Sequence, residues 1–327
     1  MLHLSFHPHP YYYVAILIGW LTTLGCSQQA EKPYDLGTVS LEKSITSISD
    51  TIFFSQISDI EFYENHFYTV DQKTGTVLKT SHDFTEAEIL ITRGPGPEEL
   101  RNAYNVKVFD DQIYCLDLNR KVKVFDLSGN YLRSLPIDAK SLSDFDVTVN
   151  ELVITNFADQ QPPILNFSLK DSVTTAFGSN YQERSRVKTH IIQYDVYTLE
   201  VFSENRPLIK VYGNTKDLTS TLDLTNLDIY QFSREDIDAN RGKTVIWDAS
   251  MRDNLLYLLL ATSNRQKKPE WNKVLSCLIT KDGLLAPQQL FELKPDGQYI
   301  TINAPKGKSE IVLFDVAGNS IDSYSLN

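Results

Sequence analysis

The sequence predicts an all-β chain whose short strands group into six four-stranded antiparallel sheets set in a closed ring. Three observations predict it. Runs rich in Val, Ile, Tyr, Phe and Leu alternate with turn signals along nearly the whole chain, and no long stretch keeps a helical apolar period. The runs recur: HFYTVD at 66–71 matches QIYCLD at 112–117, a shift of 46, and VFDLSGN at 124–130 matches LFDVAGN at 313–319, a shift of 189 or four units of about 47. Four strands of about six residues with connections of about five need about 44–48 residues, the length of one β-propeller blade. The chain has room for six.

Composition agrees with a folded domain. Of 327 residues, 42% are apolar and 22% charged, too apolar a mixture for disorder. With 31 Lys+Arg against 42 Asp+Glu, the formal charge is −11 and no basic tract occurs, which argues against nucleic acid or anionic lipid as a charge-driven partner. Fourteen glycines and 13 prolines are too few for a collagen-like or linker-dominated chain.

Residues 1–25 carry no Lys, Arg, Asp or Glu, and 14–25 (VAILIGWLTTLG) is a near-continuous apolar run. As a helix that run rises about 18 Å, short of the roughly 20 residues that span a bilayer, so it fits the apolar region of a secretory signal peptide. It ends in Thr23-Leu24-Gly25-Cys26, followed by polar SQQAEKPYD. A Cys after a small residue at this place resembles the lipobox of bacterial lipoproteins. The resemblance implies removal of 1–25, lipid attachment at Cys26 and a tether over 26–35. Thr23 stands where Leu is usual, and the leading segment has His3, His7 and His9 but no Lys or Arg. An ordinary cleaved signal and an uncleaved anchor are the alternatives. Two or more acyl chains, at about 0.8 kcal/mol per buried CH₂, hold a protein stably on a membrane. Ser27, not an acidic residue, follows the Cys, which resembles cargo passed to the outer membrane. The expected address is the bacterial cell envelope, lipid-anchored in the outer membrane and facing the periplasm.

Within a domain spanning 36–327, blades are expected near 53–92, 103–138, 142–178, 188–225, 243–293 and 294–327. The run LLYLLLA at 255–261 is apolar throughout, as suits a strand sandwiched between neighbouring sheets. The last unit holds too few strand-like runs, and a ring must close to hide its end edges. Residues 35–47 are therefore expected to give the last blade a strand. The best helical candidate is one turn at 97–103, where Pro97 and two Glu suit a helix start. Cys115 and Cys277 sit in apolar runs of distant units and read as buried free thiols; no CxxC or other metal spacing exists.

The signal with Cys26, the blade period and the loop Arg93-Gly94-Pro95-Gly96-Pro97-Glu98-Glu99 together resemble the six-bladed β-propeller lipoproteins common in Bacteroidota, related in shape to NHL and TolB-type propellers. The loop is similar to the RGxGPGE-like segment those proteins carry after an early blade, with Pro97 inserted before the acidic pair. Their frequent NDIDGG-like segment is not evident, so no site residue is carried over. The resemblance covers nearly the whole chain and implies an exported propeller, not a reaction.

Candidate sites are sparse. The 93–99 loop lacks the donors of a phosphate cradle, because Pro95 and Pro97 remove two N–H groups and no GK[ST] follows. Gly242-Lys243-Thr244 imitates the end of a P-loop, but Ile237 stands where its first Gly belongs. Asp236, Asp238 and Asn240 alternate like the oxygen ligands of a calcium loop, although Arg241 and Trp247 replace its Gly and Glu; a solvated acidic loop is the plainer reading. Asp71 and Asp117 recur at equivalent places, with Asn119 nearby. They read as turn caps, or else as oxygens at the channel rim. His66, His82 and His190 come with no HExxH and no GxSxG. Trp271, expected in a long loop at 263–272 (SNRQKKPEWN), suits either a loop anchor or an exposed stacking surface, and Trp247 lies near the start of blade five.

No catalytic set emerges. The expected function is a binding or interaction module for a protein, peptide or glycan, with no nucleic acid. The alternative is a calcium-dependent hydrolase or lyase of the six-bladed, lactonase-like type, its pore-lining Asp and Asn holding calcium.

Overall fold

The computed structural model describes residues 33–50, 52–117, 121–137, 142–156, 163–178, 189–203, 207–230, 244–263 and 269–327. Apart from a 3₁₀ turn at Asp228–Tyr230, their regular elements are strands. Six sheets follow one another along the chain, at 57–91, 103–135, 142–177, 189–223, 246–292 and 299–326. Within each, consecutive strands pair antiparallel. The first strands of successive sheets (Ile57–Tyr63, Ala103–Phe109, Leu142–Val147, Thr189–Tyr194, Ile246–Arg252 and Tyr299–Asn303) lie against one another around the axis, and the last touches the first. The chain is a six-bladed β-propeller.

Burial follows position in the blade. Second strands such as His66–Asp71 and Gln112–Asp117 are buried at nearly every residue, because the neighbouring blades cover both their faces. Outer strands such as Ala87–Ile91 and Tyr131–Leu135 keep polar residues in water. The apolar faces meet in six cores, one at each joint between neighbouring blades. A fully buried Val, Leu, Ile or Phe side chain contributes roughly 1.5–3 kcal/mol. Cys115 and Cys277 belong to two of these cores as buried free thiols.

The N-terminal strand closes the ring. Val39–Ile45 pairs antiparallel with Ser320–Leu326 as the outer strand of blade six. The segment just before it does something else: Asp35–Gly37 pairs in parallel with Leu285–Glu292 and gives blade five a fifth strand.

Turn chemistry sets the register. Glu64-Asn65 and Asp110-Asp111 join first and second strands with positive φ at both residues, the type I′ geometry that matches strand twist. In the repeated motif at 124–130, Asp126 accepts the Ser128 and Asn130 N–H groups, each at 2.9 Å. Gly129 has φ 81, and a Cβ there would meet the Leu90 carbonyl oxygen at 2.3 Å. At the matching turn, Asp315 accepts the Ala317 N–H at 3.0 Å.

The turn at 97–103 is not helical. Gly94 N–H donates to the Leu100 carbonyl and Leu100 N–H to that of Thr92, which commits the backbone to a bridge between Arg93 and Leu100. The Glu99 carboxylate folds back to accept Gly96 N–H at 2.8 Å. It lies where a Cβ on Gly94 would sit. A local carboxylate–amide contact thus outcompetes the helix start that Pro97 and the acidic pair suggest.

Candidate functional site

The first strand of each blade has a hydrogen-bonded neighbour on one side only. Its other edge faces the axis and offers N–H and C=O groups that need partners. Polar side chains from the same strands supply them, in a belt that runs from blade to blade. Asp59 Oδ2 accepts the Val106 N–H at 2.9 Å. Asn105 Nδ2 donates to Asp144 Oδ1 at 3.1 Å. Asp144 Oδ2 accepts the Ile191 N–H at 3.0 Å and lies 3.4 Å from His190 Nδ1. The same ring nitrogen is 3.5 Å from Asp248 Oδ1. Asp248 Oδ2 accepts the Ile302 N–H at 2.9 Å and the Thr301 hydroxyl at 2.6 Å. Asn303 Nδ2 donates to the Ile60 carbonyl at 2.9 Å, which completes the circuit.

One step along the strands, Asp146 Oδ2 accepts the Gln193 N–H at 2.7 Å and Ser250 Oγ accepts the Ala304 N–H at 3.0 Å. The links from Asp59, Asp144 and Asp146 each span 47 residues, the blade period.

Inside the belt is a cavity of about 260 Å³, with Asp59, Glu61, Lys107, Asp144, Asp146 and Asp248 in its wall. Lys107 Nζ lies 3.2 Å from Glu61 Oε2. Burial works against the ammonium charge, but Glu61, Asp59, Asp146 and Asp144 outweigh it and hold Lys107 well above the ordinary lysine range. Lys107 cannot match all the carboxylates around it, and Lys306, the other lysine of the wall, is exposed to solvent. Burial pushes Asp59 up to about 6 and Glu61 up to about 7, with Lys107 pulling the other way in both. Burial also raises Asp146. Asp144 differs: burial opposes its charge, yet His190, Lys107 and the Ile191 N–H together hold it below the usual range. At neutral pH the cavity keeps an excess of negative charge.

Two further oxygens stand out. Asn105 and Asn303 line the cavity at 8% and 7% exposure, and their Oδ1 atoms have no hydrogen-bond partner among the described residues. A second cavity of about 640 Å³ adjoins the first, sharing Gln193, Met251 and Lys306 and adding Tyr194 and Tyr197.

Ser203, His190 and Asp144 form a line through the belt, with Ser203 Oγ 3.1 Å from His190 Nε2. Its polarity is wrong for a nucleophile. The Ser203 hydroxyl donates to the Ile246 carbonyl at 2.5 Å, so Nε2 must donate to Ser203 and cannot take its proton. Ser203 is also 1% exposed.

The residues singled out from sequence lie elsewhere. Asp71 is buried and accepts the N–H groups of Ser55, Lys73 and Thr74 at 3.1, 3.0 and 3.2 Å. Asp117 accepts those of Arg101 and Asn102 at 3.3 and 3.1 Å, with Lys123 Nζ at 3.7 Å. This is capping geometry, and neither residue lines the channel cavity. Trp271 is half-buried and packs edge-on against Trp247, ring centroids 4.9 Å apart. His66 and His82 stay in blade one, where His82 contacts Glu310 of blade six. Cys26, Asn119, Asp236, Asp238, Asn240, Gly242 and Lys243 fall outside the described residues. Among the described residues no group of three or more His, Cys, Asp or Glu is arranged to hold a metal ion.

The channel residues do leave a trace in sequence. Polar pairs recur two positions apart in first strands, as Asp59 with Glu61, Asn105 with Lys107, Asp144 with Asp146, Asp248 with Ser250 and Thr301 with Asn303. A period of two places both members on one face, and in a first strand that face meets the first strand of the neighbouring blade beside the axis.

No protein-family model and no curated protein matches the chain. Solved structures do. A streptogramin B lyase aligns with TM-score 0.55 and 11% identity over 88% of this chain and 98% of its own. A protein of unknown function from Bacteroides thetaiotaomicron aligns with TM-score 0.59 and 12% identity over 88% and 76%. The WD40 domain of Neurospora crassa Pan2 aligns with TM-score 0.54 and 10% identity over 88% and 95%. At such identities the likeness establishes the propeller and nothing finer.

Proposed function

We propose that the propeller is the ligand-binding head of a bacterial envelope lipoprotein, anchored through acylated Cys26 in the outer membrane and facing the periplasm, and that it holds its ligand at the channel without transforming it. One observation carries the binding reading. The channel carboxylates other than Glu61 are committed to backbone N–H groups, within their own strand or across to the next blade, so they serve as scaffold and recognition surface together. The reversed polarity at Ser203 speaks against the Ser203–His190 pair as nucleophile and base. The anchor rests on the sequence: an uncharged leader, an apolar run too short to span, and a Cys directly behind it.

Two measurements test the reading. Labelling cells with an alkynyl fatty acid should tag the wild-type chain and leave Cys26→Ser unlabelled and released from membranes; a soluble wild-type chain would remove the anchor. Native mass spectrometry of the chain purified from envelopes should show a retained ligand. Turnover of lactones or esters that appears on adding calcium and disappears in Asp248→Ala would replace the binding module with the hydrolase or lyase alternative.

A further inference from the structure

We infer that the channel cavity recognises an organic cation, a primary ammonium or guanidinium group, as the head of its ligand; this rests on the binding-module reading and names its ligand class. Carboxylate and amide oxygens outnumber donors in the wall, although Gln193 Nε2 is a donor with no partner among the described residues. Five carboxylates face two lysines, Lys107, which is already held by Glu61, and Lys306, which is solvent-exposed. The Asn105 and Asn303 Oδ1 atoms have no partner among the described residues, and both residues are more than nine-tenths buried. Leaving a buried acceptor unpaired is costly, so a ligand with several N–H donors gains by meeting such groups. An anion would meet the excess negative charge and find Lys107 occupied, with only the exposed Lys306 left to face it.

A metal fits less well. Calcium needs six to eight oxygens converging at about 2.3–2.6 Å. Here the Asp oxygens are spread around a wide belt, each oriented by a backbone N–H. Spaced acceptors of this kind suit N–H donors at about 2.7–2.9 Å, reached by an ammonium or guanidinium fork. Size agrees too. About 260 Å³ is several times the roughly 30 Å³ that a water occupies in the liquid, room for an alkylammonium head.

Glu61 gives a test that spares the scaffold, since its hydrogen bond runs to Lys107 and not to the next blade's backbone. Calorimetry on the full chain would compare cadaverine, agmatine and acetyl-Gly-Lys-Gly-amide with pentanol, glutarate and calcium chloride. The amines should bind and pentanol and glutarate should not. Glu61→Gln should weaken the amines about tenfold, and Lys107→Gln, which removes the competing cation, should tighten them. Cadaverine binding more tightly than the peptide assigns a free amine as the source; the reverse order assigns a basic side chain. Equal binding of pentanol, tighter binding of glutarate, calcium binding with the same Glu61 dependence, or amine affinity unmoved by Glu61→Gln each overturns the inference. Should the amines fail while native mass spectrometry still finds a retained ligand, the cation falls and the binding module stands.

Discussion

Between blades four and five, Leu199, Val201, Ile209 and Val211 interlock with Leu256, Leu258, Leu260 and Leu275 in a core extended by Tyr34, Leu224 and Leu290. Between blades three and four, the buried apolar set among the described residues is Val153, Ile164, Ile191 and Tyr212. Polar contacts make up much of that second joint. Asp144 and Asp146 reach the Ile191 and Gln193 N–H groups, Ser143 reaches the Thr189 carbonyl at 3.4 Å, and Lys216 pairs with Glu151 at 2.7 Å. Lys216 also lies over the Phe177 ring, itself edge-on to Tyr212. Both joints carry directed hydrogen bonds, such as Ser203 to the Ile246 carbonyl at the first, but the first adds a large apolar core and the second a small one.

The sharpest way to break this comparison is Leu258→Ala. A cavity in the four–five core should cost about 3 kcal/mol and speed amide exchange in Leu255–Ser263 ahead of Leu142–Val147. Asp144→Ala should cost about 2 kcal/mol by stranding the Ile191 N–H, with exchange rising first in Thr189–Tyr194. Equal loss of protection at both sites in both variants would mean that the joints do not differ.

A smaller effect comes from pH. Asp59 and Glu61 have folded pKa values raised to about 6 and about 7, so the folded state holds their protons more tightly than the unfolded chain does. The stability they contribute is full below the ordinary carboxylate range and is lost as pH rises through those values. Melting temperature should fall by a few degrees between pH 5 and pH 8, and Glu61→Gln should flatten the upper part of that fall. The least effect belongs to Lys216→Gln, under about 1 kcal/mol, because the pair with Glu151 is partly solvated. A larger loss there would shift more of the three–four joint onto charge.

The architecture was legible because a period of about 47 residues survives in turn motifs whose atoms do a fixed job. Asp126 recurs as Asp315, and each accepts the N–H two residues on, although positive φ falls on Gly129 in one loop and on Asn319 in the other. Closure by residues after 35 was legible from the shortfall of strands in blade six; the extra parallel strand at Asp35–Gly37 was not, since three residues carry no pattern. The channel escaped notice for another reason. Asp71 and Asp117 recur at visible turns and cap them, the first of their two sequence readings, whereas Asp59, Asp144 and Asp248 sit inside apolar runs and look like interruptions. Their common role appears only when first strands from six blades are gathered on one axis. His190 is the extreme case: nothing in Thr189–Tyr194 announces that it bridges Asp144 and Asp248.

Pairing Val39–Ile45 with Ser320–Leu326 joins segments nearly the full domain apart, as the hydrogen bond between Ser44 and Asp322, 278 residues away, makes concrete. A disc latched this way cannot be finished while it is still being synthesised, since its opening segment must wait for its final one. Loss of a few residues from the tail should then cripple it as thoroughly as loss of the leading strand, and slow, late-completing folding is the rule such wiring imposes.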